Sequence, residues 1–190
     1  MNSIEAMAAD MERQLYDLPA LALPEPAPDD ARLVGSGDSY LAALAAEYLS
    51  SGRTRTFHPE DIIADPSLAR SNAYFVSESG KTAANVLAAK AVKGAGARTT
   101  AITADRRSPL AQACDNFIEL KFKSAGRTAG TIGFTASLLV CARLATGKTT
   151  CPPNLRTIYD AAAKKSEISG KVKDNTAVLG EALLYPAAIY

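Results

Sequence analysis

The chain has 190 residues, of which 47% are hydrophobic, and a formal net charge of +1 at pH 7. The length suits one α/β domain with additional helices, and the composition is that of a globular protein, not a disordered one. A charge so close to zero gives no indication of nucleic acid or an anionic membrane surface as a partner, so an anionic ligand would have to be held by local geometry.

The first 30 residues are predicted to form an amphipathic helix and an extended connector. Apolar side chains recur at helical spacing over residues 3–18, at positions Ile4, Met7, Met11, Leu15 and Leu18. This stripe either packs on the domain or forms a dimer surface, for which its methionines are suited. Four prolines within residues 19–28 predict an extended connector.

From residue 32 onward, apolar strand patterns alternate with alanine-rich helical patterns. Strands are predicted at residues 32–34, 53–57, 73–76, 97–104 and 115–122, and helices at residues 40–49, 83–92 and 134–144. Ser108 is predicted to cap a short helix before the last strand, with Pro109 at its first position. This alternation predicts one parallel sheet with helices on both faces.

A serine-rich turn, Ser-Glu-Ser-Gly-Lys-Thr at residues 77–82, joins the third predicted strand to its helix. The N–H groups of a first helical turn lack partners, so an anion, most often phosphate, binds there. The hydroxyls of Ser77, Ser79 and Thr82 can donate to phosphate oxygens, and Gly80 allows the backbone to approach the ligand. The alternative is a helix cap made by Ser77 or Ser79.

A second turn of this kind follows the first predicted strand, as Gly-Ser-Gly-Asp-Ser at residues 35–39. Since ligands of open α/β sheets bind at the carboxyl ends of the strands, both turns are expected at the ligand-binding edge. Tyr40 replaces the third glycine of a dinucleotide fingerprint, and the chain has no P-loop sequence. A nucleotide site is therefore not supported.

The two motifs together, G-S-G-x-S and S-x-S-G-x-T, resemble the sugar isomerase (SIS) domain. This domain occurs in the isomerase half of glucosamine-6-phosphate synthase, in phosphosugar isomerases and in sugar-phosphate-sensing regulators. Residues 11–19 are also similar to the first helix of the synthase type, M-x-x-E-I-x-E-Q-P. The resemblance covers residues 11–148 and implies a flavodoxin-like, three-layer α-β-α sandwich with a five-stranded parallel sheet.

The resemblance implies a binding site for a hexose 6-phosphate. The implied contacts are Gly35, Ser36, Gly37, Ser39, Ser77, Glu78, Ser79, Gly80, Thr82 and Thr131. The loop before Phe134 departs from the synthase pattern, because three residues and the family's acidic position are missing once Thr131 is matched to its threonine. Arg127 in this loop either faces the ligand or forms a surface ion pair.

Two residues are candidates for catalysis, His58 and Glu78. Isomerisation needs an acid–base group that opens the sugar ring and a base that moves a proton between adjacent carbons. His58, the only histidine, follows the second predicted strand at the same sheet edge, although a lone histidine is often structural. The family has glutamine at Glu78 and an acid at Lys81, so the charges are exchanged here and leave room for a local ion pair.

Residues 149–190 follow the domain as a helical linker, with helices predicted at residues 152–166 and 170–184. Synthase-type proteins carry two SIS domains in tandem, and the apolar residues 187–190 lie where a second domain would begin. The chain is therefore either truncated before that domain or ends in an arm that docks on a neighbour. The domains are thus 1–30, 31–148 and 149–190, and we expect a dimer or a tandem second domain.

Neither the termini nor the cysteines point to secretion or metal binding. No apolar run is long enough to span a bilayer, and the acidic amino terminus does not resemble a signal peptide. Cys114, Cys141 and Cys151 lack metal-ligand spacing, and the first two lie in apolar surroundings typical of core positions. We expect a cytoplasmic protein without metal or cofactor.

Three functions remain open from the sequence. The chain is part of an aldose–ketose isomerase of a hexose 6-phosphate, a non-catalytic phosphosugar-binding module that is regulatory or structural, or an α/β domain whose serines only cap helices. Binding is better supported than catalysis, because synthase-type enzymes take the base and the ring-opening histidine from the second domain or a neighbouring subunit.

Overall fold

The computed structural model describes residues 3–124 and 131–166. Its strands are β1 (Arg32–Gly35), β2 (Arg55–Phe57), β3 (Asn72–Val76), β4 (Arg98–Thr103) and β5 (Asn116–Glu119). Its helices are α1 (Ser3–Asp17), α2 (Asp38–Leu49), α3 (Pro59–Ala64), α4 (Ala83–Gly94), α5 (Pro109–Ala113), α6 (Ile132–Thr146) and α7 (Leu155–Ser166), with a 3₁₀ turn at Pro66–Ala69.

The five strands form one parallel sheet in the order β2-β1-β3-β4-β5, which confirms the predicted fold class. This is the flavodoxin-like order, and its topological switch point lies between β1 and β3. The two strands pair directly, with Gly35 opposite Val76 at their carboxyl ends. The two serine turns therefore begin side by side at the switch point.

Side chains alternate between the two faces of the sheet and fill two separate cores. Leu33 and Val76 join the core that lies under α2 and α6, whereas Val34 and Phe75 join the core under α3, α4 and α5. All four side chains are fully buried. Helices thus cover both faces, as the three-layer prediction requires.

Two helical segments after β2 were not predicted. Pro59 was expected only to end the strand, yet it is the first residue of α3. Asp61 reaches back to accept a 3.1 Å hydrogen bond from the His58 N–H, and Ile62 anchors the helix in the core. Strand β2 is also shorter than predicted, because Thr54 is held in the preceding turn by its N–H bond to the Ser50 hydroxyl.

The amphipathic face of α1 differs from the predicted methionine stripe. Met11 is 47% exposed, whereas Ala6 and the carboxylate-bearing Asp10 are buried. The prediction that the whole stripe packs on the domain is therefore wrong at Met11. Asp10 escaped the prediction because a charged residue is an unexpected member of a buried helix face.

The remaining expectations divide into confirmed ones and ones that lie outside the described residues. Cys114 and Cys141 are buried, which raises the pKa of their thiols to about 11 and about 12 and confirms them as core residues. No helix in residues 3–124 and 131–166 is long and apolar enough to span a bilayer. Arg127, the helix at residues 170–184 and the run at residues 187–190 lie outside the described residues.

Gly35 lies where α2 crosses the end of β1. A Cβ there would approach the Ser39 carbonyl carbon to 2.8 Å and the Tyr40 nitrogen to 2.9 Å, and these backbone atoms cannot move aside cheaply. We expect Gly35→Ala to lower the free energy of unfolding by about 1–3 kcal/mol in urea titrations. The control is Gly94→Ala, where a Cβ meets nothing within 4 Å. Equal stability of the two variants would contradict this packing.

Candidate functional site

The first turns of α2 and α4 lie next to each other at the carboxyl edge of the sheet and lack side-chain caps. Gly37 and Thr82 are their N-cap residues, and neither helix receives a side-chain hydrogen bond at its cap. The interpretation of Ser77 or Ser79 as the cap of α4 is therefore wrong. The N–H groups of both first turns, with their partial positive charge, remain available to an anion.

The turn at residues 77–82 is fixed by backbone hydrogen bonds to β4 and α5. The Glu78 carbonyl accepts from the Ala104 N–H and from the Thr103 hydroxyl, each at 2.9 Å. The Gly80 carbonyl accepts from the Leu110 N–H at 3.0 Å. Because these bonds are all internal to the protein, the turn needs no ligand to adopt its shape.

Gly80 is required by packing within this turn. Its φ is +62°, and a Cβ would lie 2.2 Å from the Ser108 hydroxyl oxygen and 2.8 Å from that of Thr103. Only glycine combines this left-handed backbone with so close an approach. The sequence correctly singled out Gly80, but the close neighbour that the structure shows is the α5 cap, not a ligand.

The predicted phosphate hydroxyls converge from two directions. Ser77 is 4% exposed, and its Oγ lies 3.2 Å from the Oγ1 of Thr82. Ser79 is exposed, and its Oγ accepts from the Lys81 N–H at 3.3 Å. Ser39 is half-buried in the first turn of α2. These four hydroxyls belong to the two turns that adjoin at the switch point.

Asn85 is a buried polar residue that the sequence analysis missed. Its Nδ2 donates to the carbonyl of Val76 at 2.9 Å, which ties the start of α4 to the end of β3. Its Oδ1 is buried without a hydrogen-bond partner among the described residues. The signal in the sequence was an asparagine in the buried face of an otherwise alanine-rich helix.

Glu78 turns its carboxylate toward α6. A Cβ on Gly133, the second residue of that helix, would lie only 2.0 Å from Glu78 Oε2. The residue as a whole is exposed, but its carboxylate end is desolvated against the helix, and this burial raises its pKa. The nearby Asp38 and Asp10 carboxylates raise it further. The suggested ion pair with Lys81 is absent among the described residues.

Asp10 brings a second acidic group to the start of α6. It is 1% exposed and accepts a 2.7 Å hydrogen bond from the Ser124 hydroxyl. The Thr131 hydroxyl also donates to Asp10, at 3.4 Å. Thr131, a predicted ligand contact, thus lies beside the buried end of α1. Its contact with a ligand stays a prediction.

His58 lies at the carboxyl end of β2, as predicted, but on the far side of β1 from the turn that holds Glu78. Its ring stacks on that of Tyr40, with centroids 3.8 Å apart. This stacking gives the exposed histidine a structural role, and its role in catalysis stays a prediction. Arg106 lies 5.7 Å from the centroid of Phe117, and the Arg107 side chain is 93% exposed, as expected of surface residues.

Comparison by sequence finds no matching family model and no matching curated protein. Comparison by structure finds the same fold in several solved proteins. A protein of Escherichia coli CFT073, solved in complex with a phosphosugar, is 21% identical, with a TM-score of 0.62 over 86% of this chain and all of that one. The C-terminal domain of the Francisella tularensis glucosamine-fructose-6-phosphate aminotransferase is 19% identical, with a TM-score of 0.69 over 98% of this chain.

A Thermotoga maritima glucosamine-6-phosphate deaminase is likewise 19% identical, with a TM-score of 0.71 over 98% of this chain. This chain spans 63% of that protein and 64% of the Francisella domain. The fold predicted from the serine motifs is therefore confirmed as that of phosphosugar isomerases and their structural relatives.

The structure separates two serines that look alike in sequence. Ser108 caps α5 by accepting from the Ala111 N–H at 3.2 Å, whereas Ser79 caps no helix. We expect Ser108→Ala to cost about 1 kcal/mol of unfolding free energy. Ser79→Ala should change it by less than about 0.5 kcal/mol. Thermal and urea unfolding measure both, and a larger loss for Ser79→Ala would restore the capping interpretation.

The raised pKa of Glu78 predicts a pH-dependent effect on stability. The folded protein binds the Glu78 proton more tightly than the unfolded chain, so ionising this group costs stability as the pH rises. Glu78→Gln should therefore be more stable than the wild type at pH 7. The difference should vanish once the pH falls below the ordinary glutamate pKa of about 4.3. Urea titrations at several pH values measure this, and a variant that is less stable at pH 7 would contradict it.

Proposed function

We propose that this chain is a phosphosugar-binding SIS domain of an aldose–ketose isomerase that acts on a hexose 6-phosphate. The observation that carries the proposal is the pair of adjacent, uncapped helix starts at the switch point between β1 and β3. Their N–H groups and the hydroxyls around them suit a phosphate. The E. coli protein of this fold that was solved with a phosphosugar supports this ligand class.

In this proposal, the phosphate lies on the hydroxyls of Ser39, Ser77, Ser79 and Thr82. Backbone N–H groups near Gly37 and Gly80 add to the site. The turn that presents them is already held by β4 and α5, so little conformational entropy is lost when the ligand binds. The 3.2 Å separation of the Ser77 and Thr82 hydroxyls supports a common anchoring point for the phosphate.

Glu78 is the residue that we propose for proton transfer. Its carboxylate is partly desolvated and lies near two other carboxylates, and the raised pKa that results is suited to an acid–base catalyst. His58 would open the sugar ring, but its position beyond β1 separates it from Glu78. The binding elements in this chain are thus more complete than the catalytic ones.

That imbalance favours a second candidate, a non-catalytic sugar-phosphate-sensing or structural module. The Vibrio vulnificus NanR protein, solved in complex with ManNAc-6P, has the same fold, with a TM-score of 0.52 over 90% of this chain and 62% of that one. In this candidate the serine turns bind the ligand as before, and Glu78 only recognises it. Binding of a sugar phosphate without turnover distinguishes the module from the isomerase.

We propose a cytoplasmic protein that works as a dimer or with a second SIS domain and needs no cofactor. The proposal of a partner is supported by the open sheet edge at the site and by exposed apolar side chains on α1, Met11 at 47% and Tyr16 at 71%. A second unit packed at the site would shield the sugar from water, which proton transfer between carbons requires.

The hydroxyls of the serine turn provide the direct test of binding. Each neutral hydroxyl bonded to a charged phosphate oxygen contributes about 1.5–3 kcal/mol. Ser79→Ala/Thr82→Ala should therefore weaken hexose 6-phosphate binding by roughly two orders of magnitude or more in calorimetric titrations. The control is Ser71→Ala, an exposed serine at the opposite edge of the sheet. A wild-type protein that binds no sugar phosphate would overturn the proposed function.

A further inference from the structure

A very close approach between the serine turn and α6 joins the Glu78 carboxyl group to Gly133. A Cβ built on Gly133 would lie 2.0 Å from Glu78 Oε2 and 2.4 Å from its Cδ. Gly133 is buried, and it stands in the first turn of α6, where an alanine would be the better helix former. The missing side chain therefore provides the space that the carboxyl group occupies.

The backbone of Glu78 cannot adjust to relieve such a contact. Its carbonyl is held by the Ala104 N–H and the Thr103 hydroxyl, both at 2.9 Å. Only the side chain is free to turn. The position of the carboxyl group is consequently decided by what stands at position 133.

The charged groups that act on Glu78 come from two other elements. They are Asp38 in the first turn of α2 and Asp10 on the buried face of α1. No lysine or arginine among the described residues forms an ion pair with Glu78. A carboxyl group in this position gains most from a ligand that donates hydrogen bonds to it, such as a sugar hydroxyl or amino group.

The sequence of the loop before α6 makes this group more important. Residues 125–130, Ala-Gly-Arg-Thr-Ala-Gly, contain no acidic residue. The loop therefore supplies no carboxylate to the sugar. Glu78 is an acidic side chain that lies against the helix that follows this loop, and it belongs to the turn proposed for the phosphate.

We propose that Gly133 is a positioning residue whose missing side chain keeps the Glu78 carboxyl group over the first turn of α6, where it binds the hydroxyl or amino groups of the sugar. The proposal rests on the proposed function, since it takes the phosphate of the same ligand to lie on the serine turn. It assigns the phosphate to the hydroxyls and helix starts, and the recognition of the sugar to Glu78.

Gly133→Ala separates these two parts of the site. The added Cβ meets the flexible end of a side chain, so the Glu78 carboxyl group turns away while the fold is kept. Hexose 6-phosphate affinity should fall about tenfold, because one hydrogen bond to a charged group is lost. The affinity for inorganic phosphate should not change. Gly94→Ala, with nothing within 4 Å of its Cβ, is the matched control and should leave both affinities unchanged.

A double-mutant cycle and a melting curve exclude a merely structural effect. In a Glu78→Ala background, Gly133→Ala should cause no further loss of hexose 6-phosphate affinity, because the group that it displaces is gone. The melting temperature of Gly133→Ala should not fall, since alanine is favoured over glycine in a helix. Additive losses of affinity in the cycle would overturn the positioning role.

NMR titration of the Glu78 carboxyl carbon tests the positioning without any ligand. In the wild type the pKa of Glu78 should lie above its ordinary value. In Gly133→Ala it should fall toward that value, as the carboxyl group leaves the helix and the neighbouring carboxylates. If the wild type binds no sugar phosphate, the proposed function fails while this titration still decides the positioning. An unchanged Glu78 pKa in Gly133→Ala overturns it in either case.

Discussion

The hydrogen bonds from β4 and α5 to the carbonyls of Glu78 and Gly80 shape the serine turn before any ligand arrives. Because those carbonyls are bound inside the protein, the hydroxyls and the first-turn N–H groups of α4 are left for the outside. The turn in turn depends on Gly80, which alone can lie against Ser108 with a positive φ. The site is thus a product of strand order, since it exists only because β4 lies next to β3.

Electrostatics give the site two ends of opposite character. The starts of α2 and α4 carry the partial positive charge of their uncapped N–H groups. A short distance along the same sheet edge, Glu78 meets Asp38 and Asp10, and all three are carboxylates. A sugar phosphate has the matching polarity, with an anion at one end and hydrogen-bond donors at the other. This complementarity connects the fold to the proposed ligand.

Local patterns were sufficient to predict the sheet, the helices and the two serine turns, because these depend on residues that are neighbours in the chain. Ser108 was correctly predicted as a cap for the same reason. The contact of Glu78 with Gly133 and the burial of Asp10 could not be predicted, since they arise from packing between segments far apart in sequence. The cap interpretation of Ser79 was wrong because a turn of several residues intervenes before α4.

An NMR titration of the amide N–H groups with a hexose 6-phosphate tests the central claim most directly. If the phosphate lies on the two serine turns, the largest shift changes should fall at residues 36–40 and 77–83. Residues at the opposite edge of the sheet, such as Gly96 and Asn116, should not respond. Changes centred away from the two turns, or the absence of any change at saturating ligand, would contradict the account.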